Sequence, residues 1–536
     1  MAGKKPCQWA IRLTDETHSE FRFNSAARPP DILKRMKGRP PAGPSSSDEF
    51  WWVIGFCLFA AVRVLVFSAA LPFFNNVDER RHFDLVMKYA SAHVPRGAEL
   101  ISPATLPYLS HYASPEFLSA PEDLEGGYYG PMWKHPAEEV APTIAKIEEI
   151  WSRTPNQEAS QPPLYYAVCA VWFHLGQWIG MKDASGLYWV RFLNVVFEAA
   201  LVWLGYVAAR IIFSDQIALR LGVPLLIAAV PQDAFYGINN DLLSPICFGL
   251  VFICLIKWLS QGEPSIPLGI ATALSIAAAY LTKLSNLPLM FVAVAAILWW
   301  CISESRAGRL RRAMPALGAL VICAATPIVA WLLWMKTHFG DFTGTTSKAQ
   351  LLGWTAKPFS DWWSHPIFTA AGMWTFISEL IASFWRGEFM WHGHTIGFER
   401  MDLFYVFSSL GLILVAVTSL VRERVEHSGQ AQRRMLWMAA ACVIVTIMFL
   451  GFLSLQFDFG TCINPSRERP YFFQGRLMLG ALIPFATLYV YGLNRLLRGL
   501  PGLALGALAA IAIIITMSEA LANRVAFSSA YNWFHM

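Results

Sequence analysis

Residues 51–86 read WWVIGFCLFAAVRVLVFSAALPFFNNVDERRHFDLV and join two segments of opposite character. The apolar part, residues 51–72, is long enough to cross the ~30 Å hydrocarbon layer of a membrane as a helix, which takes roughly 20 residues. The polar part follows at once, and six of the seven residues from Asp78 to Asp84 can carry charge. The stretch predicts a membrane-spanning helix with a dense polar cluster at one end.

The whole chain repeats this pattern. It has 536 residues, of which 55% are hydrophobic and 15% are charged, whereas soluble domains usually carry about 25% charged residues. The charges are concentrated between long apolar runs, and the nine cysteines show no paired spacing that would indicate disulfides or a zinc site. Residues 50–536 are therefore predicted to form a single, all-α polytopic membrane domain.

About eleven membrane-spanning helices are expected from the apolar runs. A further run, residues 164–181, is short and is interrupted by polar residues. The candidate spans are 51–72, 188–209, 218–236, 242–260, 266–283, 287–303, 314–335, 403–421, 435–456, 476–494 and 501–521.

The basic residues predict the orientation of the chain, because Lys and Arg favour cytoplasmic loops near span ends. The basic loops share a side with the basic, Pro/Ser-rich segment 1–49 only if residues 164–181 do not cross. We therefore expect 1–49 to be a disordered cytoplasmic tail and 164–181 to lie at the outer interface or to dip in and out. Two large outer loops, 73–186 and 336–402, follow from this topology, and the net charge of +5 reflects orientation rather than nucleic-acid binding.

The segment that begins at Asp78 has helical spacing of apolar residues and is expected to be an amphipathic helix on the membrane surface. Asp78, Glu79 and His82 share one face of that helix. Three interpretations remain open: a solvated, self-paired helix, a metal site formed by carboxylate and imidazole, or an acid/base carboxylate at Asp78.

A second polar group, GINND at residues 237–241, lies between two spans. Asp241 could simply cap the following helix. Alternatively, Asn239, Asn240 and Asp241 form a functional cluster with the deeper Asp233, because charge at membrane depth is costly unless it is used.

Three cations are expected on the same outer side: Arg191, Lys283 and Arg476. Each could be structural, and a lysine at a span end commonly snorkels to the interface. Together they would suit the recognition of a phosphate. In the 336–402 loop, His392 and His394 with nearby tryptophans, Trp385 among them, could line a sugar subsite or belong to an interfacial aromatic belt.

These pieces, in this order, resemble the GT-C superfamily of polytopic membrane glycosyltransferases, which includes protein O-mannosyltransferases, lipid A aminoarabinose transferases and oligosaccharyltransferases. The resemblance covers about residues 50–495 and is closest to an uncharacterised bacterial branch. The motifs are NVDERRHF after the first span, QPPLYY, VRFLN, NND, LTK, HFGDFTG, SFW and QGR.

The resemblance implies an enzyme of the bacterial inner membrane that moves a sugar from a polyprenyl-phosphate donor to an acceptor hydroxyl at the periplasmic face. Such transfer typically inverts the sugar configuration, and we expect no cofactor and no metal. The acceptor could be a glycan, a lipid or a protein. The rival interpretation is a transporter or flippase of a lipid-linked glycan, although the charges gather at one face and no internal repeat is evident.

The site residues follow from the resemblance, position by position. Asp78 is expected to be the general base, and Glu79 and Asp241 are expected to position the acceptor, with Asp78 and Asp241 meeting beside one cavity. The chemical role of His82 is left open. The expected substrate-binding residues are His82, Arg191, Asn240, Lys283, His392, His394, Gln474 and Arg476.

Overall fold

The computed structural model describes residues 46–76, 78–260, 263–422, 429–462, 464–498 and 500–536. The tail predicted for residues 1–49 lies outside these ranges except for its last four residues, which are helical because the first helix begins at Ser46. Glu49 already belongs to the membrane domain, where it forms a 2.7 Å ion pair with Arg220. The domain boundary expected at residue 50 therefore lies slightly earlier, at Ser46.

The described residues form eighteen α-helices, numbered here in chain order. Their bounds are α1 Ser46–Ala70, α2 Glu79–Ala90, α3 Leu106–Tyr112, α4 Ala137–Ser152, α5 Leu164–Trp178, α6 Asp183–Ile212, α7 Ile217–Ala229, α8 Leu243–Ser260, α9 Ile266–Thr282, α10 Leu287–Arg306, α11 Leu310–Phe339, α12 Thr345–Leu352, α13 Ala370–Arg386, α14 Glu399–Arg422, α15 Gln430–Gln456, α16 Leu482–Leu496, α17 Pro501–Ala522 and α18 Arg524–Ser528.

Short elements complete the described structure. The strands form two antiparallel pairs, β1 with β4 and β2 with β3. The strand bounds are β1 Thr355–Ala356, β2 Met390–Trp391, β3 His394–Thr395 and β4 Phe457–Asp458. The 3₁₀ turns are Pro121–Asp123, Met132–Lys134, Asp233–Phe235, Leu284–Asn286, Phe359–Ser364, Pro366–Phe368, Gly475–Ala481 and Trp533–His535.

The prediction of an all-α polytopic membrane protein is confirmed. Within the described ranges, nine helices are long and apolar enough to cross a membrane, and the shorter apolar helices α7 and α9 bring the number to the expected eleven. The expected span 218–236 extends seven residues beyond its helix, because α7 already ends at Ala229. Pro231 follows after Val230, and a proline lacks the N–H group that would continue a helix.

The core of the bundle is apolar and tightly packed around α16, in which every residue from Leu482 to Asn494 is buried. Small residues allow close helix approach, as in other membrane bundles. A Cβ atom at Gly492 would lie 2.1 Å from the carbonyl oxygen of Leu412 in α14, so the α14–α16 contact requires glycine.

The first loop predicted to be outer, residues 73–186, is more compact than the sequence suggested. Helix α2 was expected on the membrane surface, but residues Phe83–Lys88 are all buried, and α2 packs against α5. Helix α5 is the ambiguous run 164–181, and its 15 residues give a length of about 22 Å, which is shorter than a membrane core. The prediction that this segment does not cross stays a prediction.

One ionic group lies within the spans, which differs from the expectation that charges gather only at one end. Arg63 of α1 donates from Nη1 to the carboxylate of Glu519 in α17 at 3.2 Å, and its Nη2 lies 3.7 Å from Glu198 of α6. The hydroxyl of Tyr236 hydrogen-bonds to the same Glu519 carboxylate. Ionisable groups buried among spanning helices are expensive, so this triad bears on the choice between functions.

Candidate functional site

Five segments that are far apart in sequence meet at one end of the bundle. They are the turns after α1, α7 and α9, the loop after α13 and the segment before α16. Asn76 donates through Nδ2 to the carbonyl of Asp233 at 3.0 Å. Gln232 donates through Nε2 to the carbonyls of Ser383 and Phe384, each at 2.9 Å. These bonds fix the segments relative to one another. The three residues expected to be catalytic, Asp78, Glu79 and Asp241, lie in these segments or directly after them.

Glu79 and Arg191 form a fully buried ion pair inside this assembly. The Glu79 carboxylate accepts bonds from Nε and Nη2 of Arg191, both at 2.7 Å, and from the backbone N–H groups of Phe74 and Ile238, both at 2.9 Å. The other Arg191 donors bond to the backbone carbonyls at the end of α1, namely those of Ser68, Leu71 and Pro72.

All five N–H donors of Arg191 are therefore used, and both oxygens of Glu79 have two partners. Neither side chain has capacity left for a substrate, which corrects the expectation that Arg191 holds phosphate and that Glu79 touches the acceptor. Their position gives them another role. The pair fixes Asp78, which precedes Glu79, and the polar turn that continues from Ile238 to Asp241.

Asp78 stands at the N-terminal end of α2 in a left-handed conformation with φ of 62°. Its side chain does not cap the helix; Oδ1 accepts from Gln157 Nε2 at 3.2 Å and pairs with Arg81 at 3.4 Å, while Oδ2 faces Arg476 at 3.4 Å. The side chain remains 17% exposed, in contrast to the closed Glu79. Asp78 is thus a held but accessible carboxylate, the condition required of a general base.

Arg476 lies among four carboxylates, those of Asp78, Asp233, Asp241 and Glu388, whose charges all act on it. Its Nε is 3.2 Å from Oε2 of Glu388, in a geometry that is not a hydrogen bond. In the described part of the chain, its one side-chain hydrogen bond goes to Asp78. We call these four acids, Arg476 and Lys283 the Arg476 cluster.

Asp241 and Lys283 form the second ion pair of the cluster. Asp241 is fully buried, and its Oδ2 has no hydrogen-bond partner among the described residues. Burial lowers the pKa of Lys283 from its ordinary value, and the adjacent Asp241 opposes that effect. One interpretation of Asp241 was a simple cap of the following helix. In the structure its carboxylate instead binds a lysine.

Asp233 and Glu388 are the two carboxylates by which the acids of the cluster outnumber its cations. The Glu388 N–H donates to Oδ2 of Asp233 at 3.0 Å. The close approach depends on Gly387, since a Cβ there would lie 1.8 Å from Asp233 Oδ1. Burial, and then the charge of Glu388, raises the pKa of Asp233 to about 7, and burial also raises the pKa of Glu388. Protonation of these acids at neutral pH would reduce the surplus of four carboxylates over two cations.

The charges of Asp78 and Asp241 both act on Arg476 and on His82. An open cleft adjoins the cluster at Asp233 and is lined further by Tyr405 of α14 and Glu519 of α17. Neither Asp78 nor Asp241 lines this cleft, so their meeting beside one cavity stays a prediction.

His82 is buried and hydrogen-bonds through Nδ1 to the hydroxyl of Tyr166 at 2.7 Å. Burial lowers its pKa to about 4, so the imidazole is neutral at physiological pH. A neutral, buried imidazole cannot pair with a phosphate as a cation, although it can still hydrogen-bond. Beside it, Glu158 binds Lys348 of α12 at 2.7 Å, which anchors the later outer loop to the first one.

Asn240 and Gln474 are close in sequence to cluster residues, Asn240 directly before Asp241 and Gln474 two positions before Arg476. Asn240 donates through Nδ2 to the carbonyl of Thr282 at 3.0 Å and to Gln161 Oε1 at 3.1 Å. Its own Oδ1, and Oε1 of Gln474, are buried without a hydrogen-bond partner in the described structure.

The two histidines expected at a sugar subsite lie elsewhere. His394 is exposed on the β2–β3 hairpin, and the backbone N–H of His392 donates to the carbonyl of Glu116 in the first outer loop at 2.8 Å. The next residue, Gly393, donates in the same way to the carbonyl of Phe117 at 3.1 Å, so the hairpin rests on that loop. None of the described contacts joins either histidine to the Arg476 cluster, and their substrate-binding role stays a prediction.

The tryptophan at 385 has a structural role. It is 1% exposed, stacks on Tyr405 with ring centroids 5.2 Å apart, and donates through Nε1 to Ser409. It cannot offer a ring face to a sugar in this position.

Sequence reasoning missed Glu388 and the Gln157–Glu158 pair. Glu388 is the one acidic residue within the aromatic stretch SFWRGEFMW, and this was the signal that the sequence offered. Gln157 and Glu158 precede QPPLYY, but nothing in their spacing predicts a contact with Asp78 or His82.

The metal interpretation of Asp78 and His82 finds no complete ligand set. Within the described residues, no group of three or more His, Cys, Asp or Glu side chains is arranged to hold a metal ion. Metal independence itself stays a prediction.

Comparison with known proteins gives a family and a distant likeness of fold. The family described as "Predicted membrane protein (DUF2142)" matches residues 57–460. No curated protein matches the chain.

Two solved structures of oligosaccharyltransferases from Archaeoglobus fulgidus are similar to the chain. One is a complex with Zn and sulfate, with 11% identity and a TM-score of 0.38 over 87% of this chain and 53% of that one. The other is AglB with an inhibitory peptide and a dolichol-phosphate, with 10% identity and a TM-score of 0.39 over 91% of this chain and 56% of that one. The chain therefore spans about half the length of either enzyme.

Proposed function

The chain belongs to the DUF2142 family of predicted membrane proteins, and from that premise we propose that it is a membrane glycosyltransferase of the GT-C type. Its donor would be a sugar on a polyprenyl phosphate, and its acceptor a hydroxyl group. The observation that carries the proposal is the position of Arg476, a cation with free donors beside the accessible carboxylate of Asp78.

Asp78 is the general base in this proposal. It takes the proton of the acceptor hydroxyl as the acceptor oxygen bonds to the anomeric carbon of the sugar. The bond between that carbon and the phosphate oxygen breaks, and its electron pair leaves with the prenyl phosphate. Attack opposite the leaving group inverts the anomeric configuration, and general base catalysis of this kind is worth about 10²- to 10⁴-fold in rate.

Arg476 and Lys283 are the groups that bind the phosphate. Arg191 has used all five of its donors, whereas Arg476 has one described side-chain hydrogen bond and Lys283 has one, to Asp241. Donors placed where negative charge develops on a leaving group stabilise the transition state by several kcal/mol, roughly.

The remaining cluster residues support this arrangement. Asp241 orients Lys283, and Asp233 with Glu388 orients Arg476 from the opposite side. Glu79 and Arg191 position the base without touching substrate. The orientation of basic loops supports a cytoplasmic N-terminus and a site at the periplasmic face of a bacterial inner membrane.

The test is direct. Purified full-length protein is incubated with a panel of polyprenyl-phosphate sugars and a mixture of candidate acceptors, and the release of prenyl phosphate is measured. Lipid-dependent release that needs an acceptor is expected. The absence of cleavage for every donor, by protein that binds those lipids, would overturn the proposal.

A flippase of lipid-linked glycans is the second candidate, and one observation favours it. Arg63, Glu198 and Glu519 form an ionic triad within the spanning helices, and such groups commonly mark transport pathways. A flippase would move the glycolipid across vesicle membranes without cleaving it, so the same panel separates the two functions.

A further inference from the structure

Three buried oxygen atoms on the segments that form the Arg476 cluster lack hydrogen-bond donors. They are Oδ1 of Asn240, Oδ2 of Asp241 and Oε1 of Gln474, and none has a partner in the described part of the chain. The side chains are deeply buried, with exposures of 0%, 0% and 7% respectively. Buried acceptors left unpaired destabilise a fold, so native proteins rarely keep them without a purpose.

The three atoms are fixed by neighbours that the site also uses. Asn240 is held through its nitrogen by Thr282 and Gln161, and Asp241 is held through its other oxygen by Lys283. Gln474 lies two positions before Arg476, at the start of the 3₁₀ turn Gly475–Ala481. Asn240 and Asp241 therefore adjoin Lys283, and Gln474 belongs to the segment that carries Arg476.

The kind of ligand follows from the atoms and from the charge. Three acceptors require a ligand that presents donors, which on a sugar are hydroxyl or amino groups. The Arg476 cluster already contains four carboxylates and two cations. A carboxylate on the sugar would place another negative charge in buried surroundings and would bring no donor when ionised.

We propose that Asn240, Asp241 and Gln474 recognise the transferred sugar by accepting hydrogen bonds from its hydroxyl or amino groups. Sugars that carry a carboxylate are excluded. This inference rests on the proposed function and deepens it, because it names the class of sugar. The donor is a neutral or amino sugar and not a uronic acid.

The experiment measures binding rather than turnover. The full-length protein in lipid nanodiscs is titrated with short-chain prenyl phosphates that carry glucose, glucosamine, glucuronic acid or no sugar. Glucose or glucosamine is expected to bind about tenfold or more tightly than glucuronic acid, since one unpaired buried acceptor is worth about that factor. Preference for glucosamine identifies the ammonium group as a donor, and preference for glucose identifies a hydroxyl.

Gln474→Met tests one acceptor, since it keeps the shape of the side chain and removes its oxygen. Its affinity for the better-bound sugar lipid should fall by about tenfold, with the affinity for bare prenyl phosphate unchanged. Should this variant not fold, Gln474→Glu keeps an oxygen acceptor and adds charge, and it must increase the preference for glucosamine over glucuronic acid.

The outcomes distinguish a failure of the proposed sugar specificity from a failure of the proposed function. If glucuronic acid binds as tightly as the other sugars, or if neither Gln474 variant changes discrimination, the inference is overturned and the proposed function stands. If no lipid binds, including bare prenyl phosphate, the proposed function is overturned and the inference with it.

Discussion

Nη2 of Arg476 lies 3.4 Å from Oδ2 of Asp78, although the two residues are 398 positions apart in the chain. This contact joins the turn after the first helix to the segment before α16. It also places a cation with one side-chain hydrogen bond among the described residues beside an accessible carboxylate, whose side chain is 17% exposed. The chemistry proposed for this protein depends on that juxtaposition.

Asp78→Asn should abolish transfer while the protein folds normally. The amide keeps the size of the side chain but cannot accept a proton at neutral pH, so kcat should fall by about 10²- to 10⁴-fold. Turnover of a saturating donor and thermal unfolding of the purified variant are the two measurements. A well-folded variant with near-normal turnover would remove Asp78 from the mechanism.

Glu79→Gln, one position away, is the matched comparison with the opposite expected signature. It leaves Arg191 buried with an unneutralised charge, and breaking a buried pair in this way costs about 3–5 kcal/mol of stability. The midpoint of thermal unfolding should fall clearly. Arg191→Met should have a similar effect, and the double variant should lose less than the sum of the two single losses. Additive losses would show that the two side chains do not act as a pair.

Much of the fold was predictable because apolar runs of membrane length permit few alternatives. The eleven apolar helices follow from hydropathy, and the burial of α2 does not, because its apolar spacing suits a membrane surface and a protein core equally. The site was predictable only in part. Asp78, Asp241, Lys283 and Arg476 stand at span ends, where position and charge are visible in the sequence.

The different roles of the two arginines could not be predicted from the sequence. Arg191 and Arg476 both stand near the end of a span, and only the three-dimensional contacts show that Arg191 uses all its donors while Arg476 makes one side-chain hydrogen bond among the described residues. Glu388 was missed for a related reason, because its partner Asp233 is 155 positions away.

The contribution of Asp233 to stability should fall as pH rises from about 4 to about 7, whereas that of buried His82, with a pKa lowered to about 4, has the opposite sign. The pKa of Asp233 is raised from 3.8 to about 7, so in this window the folded state retains a proton at Asp233 that the unfolded state releases. The effect levels off above about pH 7, where both states are ionised. Glu388, whose pKa is also raised, acts in the same direction, while Arg386 and Arg476 oppose the shift.

Asp233→Asn replaces the titrating carboxyl group by an amide. It should therefore remove the contribution of Asp233 to the pH dependence of stability. Thermal unfolding of the wild type and the variant is compared between about pH 5 and about pH 8. The variant should gain stability relative to the wild type at the upper end of this range. An equal slope in both proteins would show that Asp233 is ionised throughout.

Transfer should not depend on a divalent metal ion. The proposed leaving group carries a single phosphate, and in the proposed mechanism Arg476 with Lys283 supplies positive charge beside it. Dialysis against a chelator should leave kcat and KM unchanged. Strong inhibition that a divalent ion reverses would instead favour a metal bound by the carboxylates of the cluster.

Arg476→Ala should raise KM for the lipid donor by about 10- to 100-fold, because a charge-assisted hydrogen bond to phosphate is worth about 1.5–3 kcal/mol. KM for the acceptor should change little. Arg469→Ala is the matched control: it lies on the same loop, but it pairs with Glu379 at an exposed position. Its donor KM should stay at the wild-type value, since exposed ion pairs contribute little. If Arg476→Ala weakens the acceptor more than the donor, the guanidinium binds the acceptor and the phosphate must be held elsewhere.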